Sequence, residues 1–158
     1  MHKNDIKHLQ RAIDLAAKYG SDGRHGPFGA VIARNGKVLA EGWNAVVDSF
    51  DPTAHAEMQA IRAAAENLKT HELSGCTLYA SCEPCPMCLA AIYWARIDRI
   101  VYAATKEDAA AVGFDDSLLY EEMAKPWPAR HVKSDQALQE KAARMMKSWA
   151  ENPDRVHY

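Results

Sequence analysis

Long apolar runs are absent from this chain of 158 residues. The longest strongly apolar stretch runs only from Met87 to Ala95, whereas a membrane-spanning helix needs about 20 apolar residues. The first eleven residues alternate charged and polar groups and lack the apolar segment of a secretory signal. We therefore expect a protein that does not cross a membrane and that resides in the cytoplasm.

An excess of positive charge is also missing. Nineteen Lys and Arg residues against 21 Asp and Glu residues give a net charge of −2. Proteins that hold long nucleic acids through phosphate contacts are usually basic, so we do not expect nucleic acid as a partner. The chain is long enough for one domain whose core needs no metal or disulfide to hold it together. Any bound metal is therefore expected to have a functional role and not a structural one.

The pattern of apolar residues predicts alternating strands and helices. An amphipathic helix over residues 6–17 precedes two apolar runs, 28–34 and 37–43, joined by Asn35-Gly36, a pair typical of a two-residue hairpin turn. The later residues predict, in order, a helix, a strand, a helix and a strand, over 55–68, 76–81, 86–96 and 100–104. Short connections of this kind favour parallel pairing with crossover helices. We therefore predict a three-layer α/β domain.

The C-terminal part of the chain is set apart by a break at Pro126-Trp127-Pro128. After it, apolar residues at helical spacing predict a final amphipathic helix; they are Leu138, Ala142, Met145 and Trp149. We therefore divide the chain into a main domain, residues 1–125, and a C-terminal arm, residues 126–158.

All four cysteines lie within thirteen residues, at Cys76, Cys82, Cys85 and Cys88. In a reducing compartment such a cluster indicates metal or redox chemistry before disulfides. Cys85 and Cys88 are spaced to point to the same side of the first turn of a helix, where the unpaired N–H groups favour thiolates. With the imidazole of His55 they form a donor set that suits zinc and leaves the fourth position open to water.

The spacing of His55 and Glu57 restricts where they can act together. Two residues correspond to about 200° around a helix, so the two side chains can share a site only near a helix start. Start signals precede them at Asp51, Pro52 and Thr53. Glu57 is then the carboxylate expected to take the proton from the activated water.

Other interpretations of the cysteines remain open. Cys82, Cys85 and Cys88 could belong to a closed structural zinc or iron–sulfur site, with His55 or Cys76 as the fourth ligand. Cys85 and Cys88 could also form a redox pair. We favour the open zinc site because a carboxylate beside the histidine serves catalysis, and we take Cys82 as a small packed residue. The other histidines are expected at the surface or in loops; they are His2, His8, His25, His71, His131 and His157.

These motifs resemble those of the cytidine deaminase superfamily. His55-Ala56-Glu57, followed by Pro84-Cys85-Pro86-Met87-Cys88, is similar to the signature of zinc-dependent base deaminases, and the likeness spans about residues 5 to 105. Within that superfamily, residues 26–30, 51–57 and 113–117 resemble bacterial guanine deaminases, and there the likeness extends to Tyr158. The resemblance implies an α/β/α sandwich with a mixed sheet of about five strands and one Zn²⁺ per chain.

The resemblance also implies an activity, the hydrolytic deamination of guanine to xanthine and ammonia, with a zinc-activated water and Glu57 as proton shuttle. Phe28 and Asn44 would line the purine pocket, and Asp116 and Tyr158 would complete it. Asp116 can accept hydrogen bonds from the N–H groups of guanine, and the Asn44 amide can both donate and accept. The alternatives are a related ring (guanosine, a triazine amine, cytosine or tRNA adenosine) and a zinc-stabilised interaction module without catalysis.

The resemblance finally implies a homodimer. In the resembling family the C-terminal segment crosses to a partner subunit and closes its active site. The Pro-Trp-Pro break and the amphipathic helix provide a hinge and an arm of this kind. A swap of residues 126–158 between two subunits is therefore our hypothesis for this chain.

Overall fold

The computed structural model describes residues 4–158, so His2 lies outside the described residues. Two compact units make up the chain: the first ends at Asp116, and the second runs from Ser117 to Tyr158. The division falls upstream of the predicted domain boundary after residue 125, which stays a prediction. Among residues 4–158, no helix is both long and apolar enough to span a membrane.

The first unit is built on a mixed sheet of four strands. They are β1 (Gly29–Arg34), β2 (Lys37–Trp43), β3 (Thr77–Cys82) and β4 (Arg99–Ala104). The order across the sheet is β2-β1-β3-β4, in which β1 pairs antiparallel with β2 and β3, and β3 pairs parallel with β4. The predicted α/β class is confirmed. The expected fifth strand is not present among the described residues, because the chain turns into short helices after β4.

The helices of the first unit are α1 (Asp5–Gly20), α2 (Val46–Ser49), α3 (Ala56–Leu68), α4 (Pro86–Trp94) and α5 (Lys106–Ala111). The second unit contains α6 (Ser117–Ala124), a 3-10 turn (Trp127–Ala129) and α7 (Gln139–Glu151). The predicted elements are thus present, with ends that shift by at most three residues. A short helix at 46–49, which the sequence pattern did not predict, precedes α3.

Alternate residues of β1 enter two different cores. Ala30 and Ile32 pack with buried alanines of α3 and with Ile92 of α4. Val31 and Ala33 pack on the opposite face with residues of α1. Because side chains alternate across a strand, this pattern places the sheet between two helical layers. The three-layer prediction is therefore confirmed.

The turn between β1 and β2 has the predicted geometry. Arg34 pairs with Lys37, so the loop contains only Asn35 and Gly36. Both have positive φ, at 52° and 76°. This backbone is that of a type I′ turn, which Asn-Gly favours.

Helix α3 packs directly on the backbone of β2. A Cβ atom added at Gly42 would collide with the carbonyl oxygen of Ala56 and would lie 2.6 Å from the nitrogen of Ala60. The absence of a side chain at Gly42 therefore allows the first turn of α3 to approach the sheet.

A buried polar group joins α1 to the sheet. Asp5 is fully buried and accepts hydrogen bonds from the Arg99 guanidinium at 2.8 and 2.9 Å and from the Tyr79 hydroxyl at 2.9 Å. His8 packs beside Tyr79, with ring centroids 5.0 Å apart. The prediction that His8 lies at the surface is wrong: its position on the inner face of α1 buries it.

Candidate active site

The N-termini of α3 and α4 bring the predicted zinc ligands together. His55 is the residue before α3, and Glu57 lies in the first turn of that helix. Cys85 is the residue before α4, and Cys88 lies in its first turn. This is the helix start that the spacing of His55 and Glu57 requires. The positive ends of two helix dipoles favour thiolates at this point.

The turn before α3 is fixed by Asp51. Its Oδ1 atom accepts hydrogen bonds from the Thr53 backbone nitrogen at 2.8 Å and from the Thr53 hydroxyl at 2.7 Å. His55 follows two residues later in extended backbone, with ψ of 159°. The start signals seen in the sequence thus order the turn that presents His55, rather than capping the helix itself.

The donor atoms have the separations that zinc requires. Nδ1 of His55 lies 3.6 Å from Sγ of Cys85 and 3.6 Å from Sγ of Cys88. A tetrahedral zinc with Zn–S bonds of about 2.3 Å and a Zn–N bond of about 2.1 Å would place sulfur and nitrogen about 3.6 Å apart. The two nitrogen–sulfur distances therefore match a tetrahedral zinc site, and all three donor atoms lie within 4.8 Å of one another.

The three donors are the single group of three or more His, Cys, Asp or Glu residues placed to hold a metal in the described part of the chain. Cys82 is outside this group, and its thiol donates to the carbonyl oxygen of Thr105 at 3.4 Å. Cys76 is fully buried in the core between α3, α4 and the sheet. The structure therefore disfavours a closed site with four protein ligands.

A cavity opens beside these donors. It is lined by Phe28, His55, Glu57, Cys82, Glu83, Cys85, Ala109, Phe114 and Asp116. Glu57 is 93% buried, since only 7% of its surface is exposed, yet it contributes to the cavity wall. A carboxylate and two of the metal donors therefore face the same small space.

The thiols of Cys85 and Cys88 have pKa values that shift in opposite directions. A hydrogen bond from Cys88, and a further one from His55, lower the pKa of Cys85 to about 4. The same hydrogen bond raises the pKa of Cys88, and burial adds to that effect. Cys85 is consequently a thiolate at neutral pH, the form that binds metal ions.

Burial also acts on two of the three carboxyl groups that line the cavity. It raises the pKa of Glu57, and the negative charge of Cys85 acts in the same direction. Burial likewise raises the pKa of Asp116. Both carboxyl groups therefore hold a proton more readily than an exposed carboxylate would.

The residues predicted to bind the purine have different positions. Phe28 and Asp116 line the cavity. Asn44 is buried and is hydrogen-bonded to one of these two residues: its backbone nitrogen donates to the carbonyl oxygen of Phe28 at 3.2 Å. Tyr158 belongs to the second unit. The structure thus brings three of the four residues to one region of the first unit.

One aromatic residue of the cavity was missed by the sequence reasoning. The Phe114 ring meets the Phe28 ring edge to face, with centroids 4.9 Å apart. Phe114 lies two residues before Asp116 in the turn that was singled out for its resemblance. An aromatic residue in a turn beside a predicted site residue was the available signal.

Comparison with known proteins gives the family. Residues 2–104 match the cytidine and deoxycytidylate deaminase zinc-binding region. The chain belongs to this family. The predicted membership in a family of zinc-binding deaminases, and with it the class of zinc-dependent hydrolase, is confirmed.

The most informative relatives of this deaminase are bacterial. It is 54% identical to guanine deaminase of Bacillus subtilis over 124 residues, which are 78% of this chain and 80% of the relative. The X-ray structure of guanine deaminase from the same species superposes with a TM-score of 0.93, at 45% identity, over 100% of this chain and 99% of that one. A tRNA-specific adenosine deaminase of Haemophilus influenzae is 42% identical over 71% of this chain and 68% of the relative.

Proposed function

We propose that this deaminase converts guanine and water to xanthine and ammonia. The observation on which the proposal depends is one cavity that contains the His55 and Cys85 metal donors, the buried carboxyl group of Glu57, and the side chains of Phe28 and Asp116. The likeness to guanine deaminase of Bacillus subtilis, in sequence and over the whole chain in structure, favours guanine among the possible rings.

His55, Cys85 and Cys88 are proposed to hold one Zn²⁺ per chain. Their spacing of 3.6 Å between nitrogen and each sulfur supports this assignment. When bound, zinc supplies a water of lowered pKa as the attacking group. Two thiolates neutralise much of the metal charge, so a nearby base is needed to take the proton from that water.

Glu57 is proposed to move the protons of the reaction. Its carboxylate accepts one proton from the attacking water and passes it to a ring nitrogen of guanine. It then takes the second proton, from the hydroxyl group that the attack leaves on the ring carbon, and delivers it to the departing amino group. Burial at the first turn of α3, two residues from His55, holds the carboxyl group at the cavity wall and keeps bulk water away from it.

Phe28, Asn44 and Asp116 are proposed to bind the purine. The ring of Phe28 offers a face for stacking, which contributes about 1–3 kcal/mol per base in nucleic-acid sites. The Phe114 ring packs against the Phe28 ring at nearly a right angle and so helps to hold it in place. The Asp116 carboxylate accepts hydrogen bonds, and the Asn44 amide can match both a donor and an acceptor of guanine.

Tyr158 and the arm of residues 126–158 are proposed to complete the site in a homodimer. Large apolar side chains of this segment are exposed, among them Leu138, Met145, Met146 and Trp149. Leu138 directly precedes α7 and the other three lie on it. Exposed apolar residues of this kind favour contact with another surface. We further propose that the dimer acts in the cytoplasm on a free purine base rather than on nucleic acid.

A panel of substrates tests the proposal. Purified protein is incubated separately with guanine, guanosine, a triazine amine, cytosine and a tRNA containing the target adenosine, and ammonia release is measured. We expect guanine to give the highest turnover. Strong release from tRNA alone would instead support the second candidate, which the 42% identity to the Haemophilus influenzae enzyme favours. No release from any substrate would support the interaction module.

A further inference from the structure

His25 lies between two carboxylates from different parts of the first unit. Its Nδ1 is 3.1 Å from Oδ2 of Asp22, in the loop after α1, and its Nε2 is 2.8 Å from Oδ2 of Asp48, in α2. The side chain is only 11% exposed. His25 is thus in a loop, as expected for a histidine outside the zinc site, but it bridges two segments instead of facing solvent.

The bridge is complete only when the imidazole is protonated. A neutral imidazole has one N–H donor, whereas both ring nitrogens here face carboxylate acceptors. The hydrogen bond to Asp22, reinforced by that to Asp48, raises the pKa of His25. Arg24 is the other charged group at this point, and its Nη2 donates to Oδ1 of Asp48 at 2.8 Å. Deprotonation would leave one ring lone pair facing a carboxylate.

The bridge is next to the residues that contact the purine in the proposed function. Gly26 follows His25, and a Cβ atom there would lie 2.9 Å from the Phe28 ring and 3.2 Å from Nδ2 of Asn44. Asn44 in turn leads into α2, since its Oδ1 accepts a hydrogen bond from the Val46 nitrogen at 3.3 Å. A movement of either bridged segment would therefore displace Phe28, Asn44 or both.

We propose that His25, in its imidazolium form, is a positioning residue that holds Phe28 and Asn44 in place for the purine. This inference rests on the proposed function for the identity of the ligand. Loss of the proton removes one of the two donors, so the bridged segments separate more readily. Purine binding should consequently weaken as the pH rises through the pKa of His25, while the zinc donors stay in place.

Steady-state kinetics of the zinc-loaded protein test the proposal. With guanine, from about pH 6 to about pH 9, we expect the KM of the wild type to rise by about tenfold, the size of one lost charged hydrogen bond. His25→Gln should have a high KM at every pH and a nearly flat profile, with kcat within about twofold and unchanged zinc content. Asp48→Asn should shift the profile to lower pH, because it removes one of the two charges that retain the proton.

The matched control is Arg11→Gln, which removes an exposed bidentate ion pair with Glu41 that contacts neither Phe28 nor Asn44. It should leave KM and its pH profile as in the wild type. A His25→Gln variant with the KM profile of the wild type would overturn the proposal. So would a variant that loses zinc and kcat together, because His25 would then support the whole fold.

A second measurement does not depend on turnover. In an NMR titration, the backbone amide signals of Phe28 and Asn44 should shift with the same midpoint as the His25 ring, and His25→Gln should abolish that shift. If the amide signals of Phe28 and Asn44 do not shift when His25 titrates, the positioning role is disproved even if guanine is the substrate. If these amide signals shift with His25 but guanine is not deaminated, the positioning role of His25 is supported and the proposed function is wrong.

Discussion

Two buried carboxyl groups of the first unit have opposite surroundings. Asp5 is fully buried and accepts hydrogen bonds from both ends of the Arg99 guanidinium and from Tyr79. Glu57 is almost as buried, but it faces a cavity beside the metal donors. The first carboxylate joins α1 to β3 and β4, and the second is available to a ligand. Burial of a charged group therefore marks an active site only where the group also faces open space.

The largest effect should come from changing the carboxyl group that faces the cavity. Glu57→Gln keeps the shape of the side chain but cannot exchange protons, so turnover of guanine should fall by about 10³-fold or more. Ammonia release and zinc content measured on the same sample check this prediction. Activity close to that of the wild type would remove Glu57 from the mechanism, and loss of zinc would show that its role is structural.

At Asp5, the carboxylate that is hydrogen-bonded to Arg99 and Tyr79, we expect a loss of stability and not of turnover. Asp5→Ala removes the acceptor of the buried Tyr79 hydroxyl, which should lower the free energy of unfolding by about 2 kcal/mol. Chemical denaturation measures the loss, and kcat at a temperature where the variant is folded should stay near that of the wild type. Asp14→Ala is the matched control, because Asp14 is an exposed residue of the same helix. Equal stability of the two variants would contradict the comparison.

The proposed closure of the cavity by the C-terminal arm predicts that turnover depends on Tyr158. If Tyr158 closes the site in the dimer, deletion of residues 155–158 should lower turnover by about tenfold or more, because water exclusion and substrate positioning are lost. Zinc content and the unfolding midpoint should be unchanged. A truncated protein with full activity would show that the cavity works without this lid.

The smallest effect should come from the cysteine that lines the cavity without joining the donor group. Cys82→Ser can keep the hydrogen bond to the Thr105 carbonyl, so turnover should change by less than about threefold. Metal analysis should still find one zinc per chain. Loss of zinc would instead identify Cys82 as a ligand of a closed site.

The sequence predicted those parts of the fold that depend on local chemistry. Asn35-Gly36 defines its hairpin because both residues tolerate positive φ, and Pro86 marks the start of α4 because its missing donor is harmless there. Residue type and spacing also led to the prediction of His55, Cys85 and Cys88 as zinc ligands. The structure brings their donor atoms together, and their role as ligands stays a prediction.

Long-range pairing was not predictable in the same way. Asp5 finds its partners 74 and 94 positions away along the chain, and nothing in the first turn of α1 indicates them. The same holds for His25, whose second carboxylate lies 23 positions away. The expected fifth strand had no residue pattern of its own and followed only from the resemblance, so the structure alone could correct it.

The contact of α3 with Gly42 has a consequence for the evolution of the catalytic centre. The position of Glu57 at the cavity depends on a direct contact between the backbone of Gly42 and the backbone of the first turn of α3. A single methyl group at Gly42 would disrupt this contact. Side chains on the exposed face of α3 can thus vary in size without moving Glu57, whereas the buried alanines that pack on the sheet cannot. Under the proposed function, variation that changes substrate preference is therefore expected in the loops that carry Phe28 and Asp116, whereas any larger residue at Gly42 would displace the start of α3.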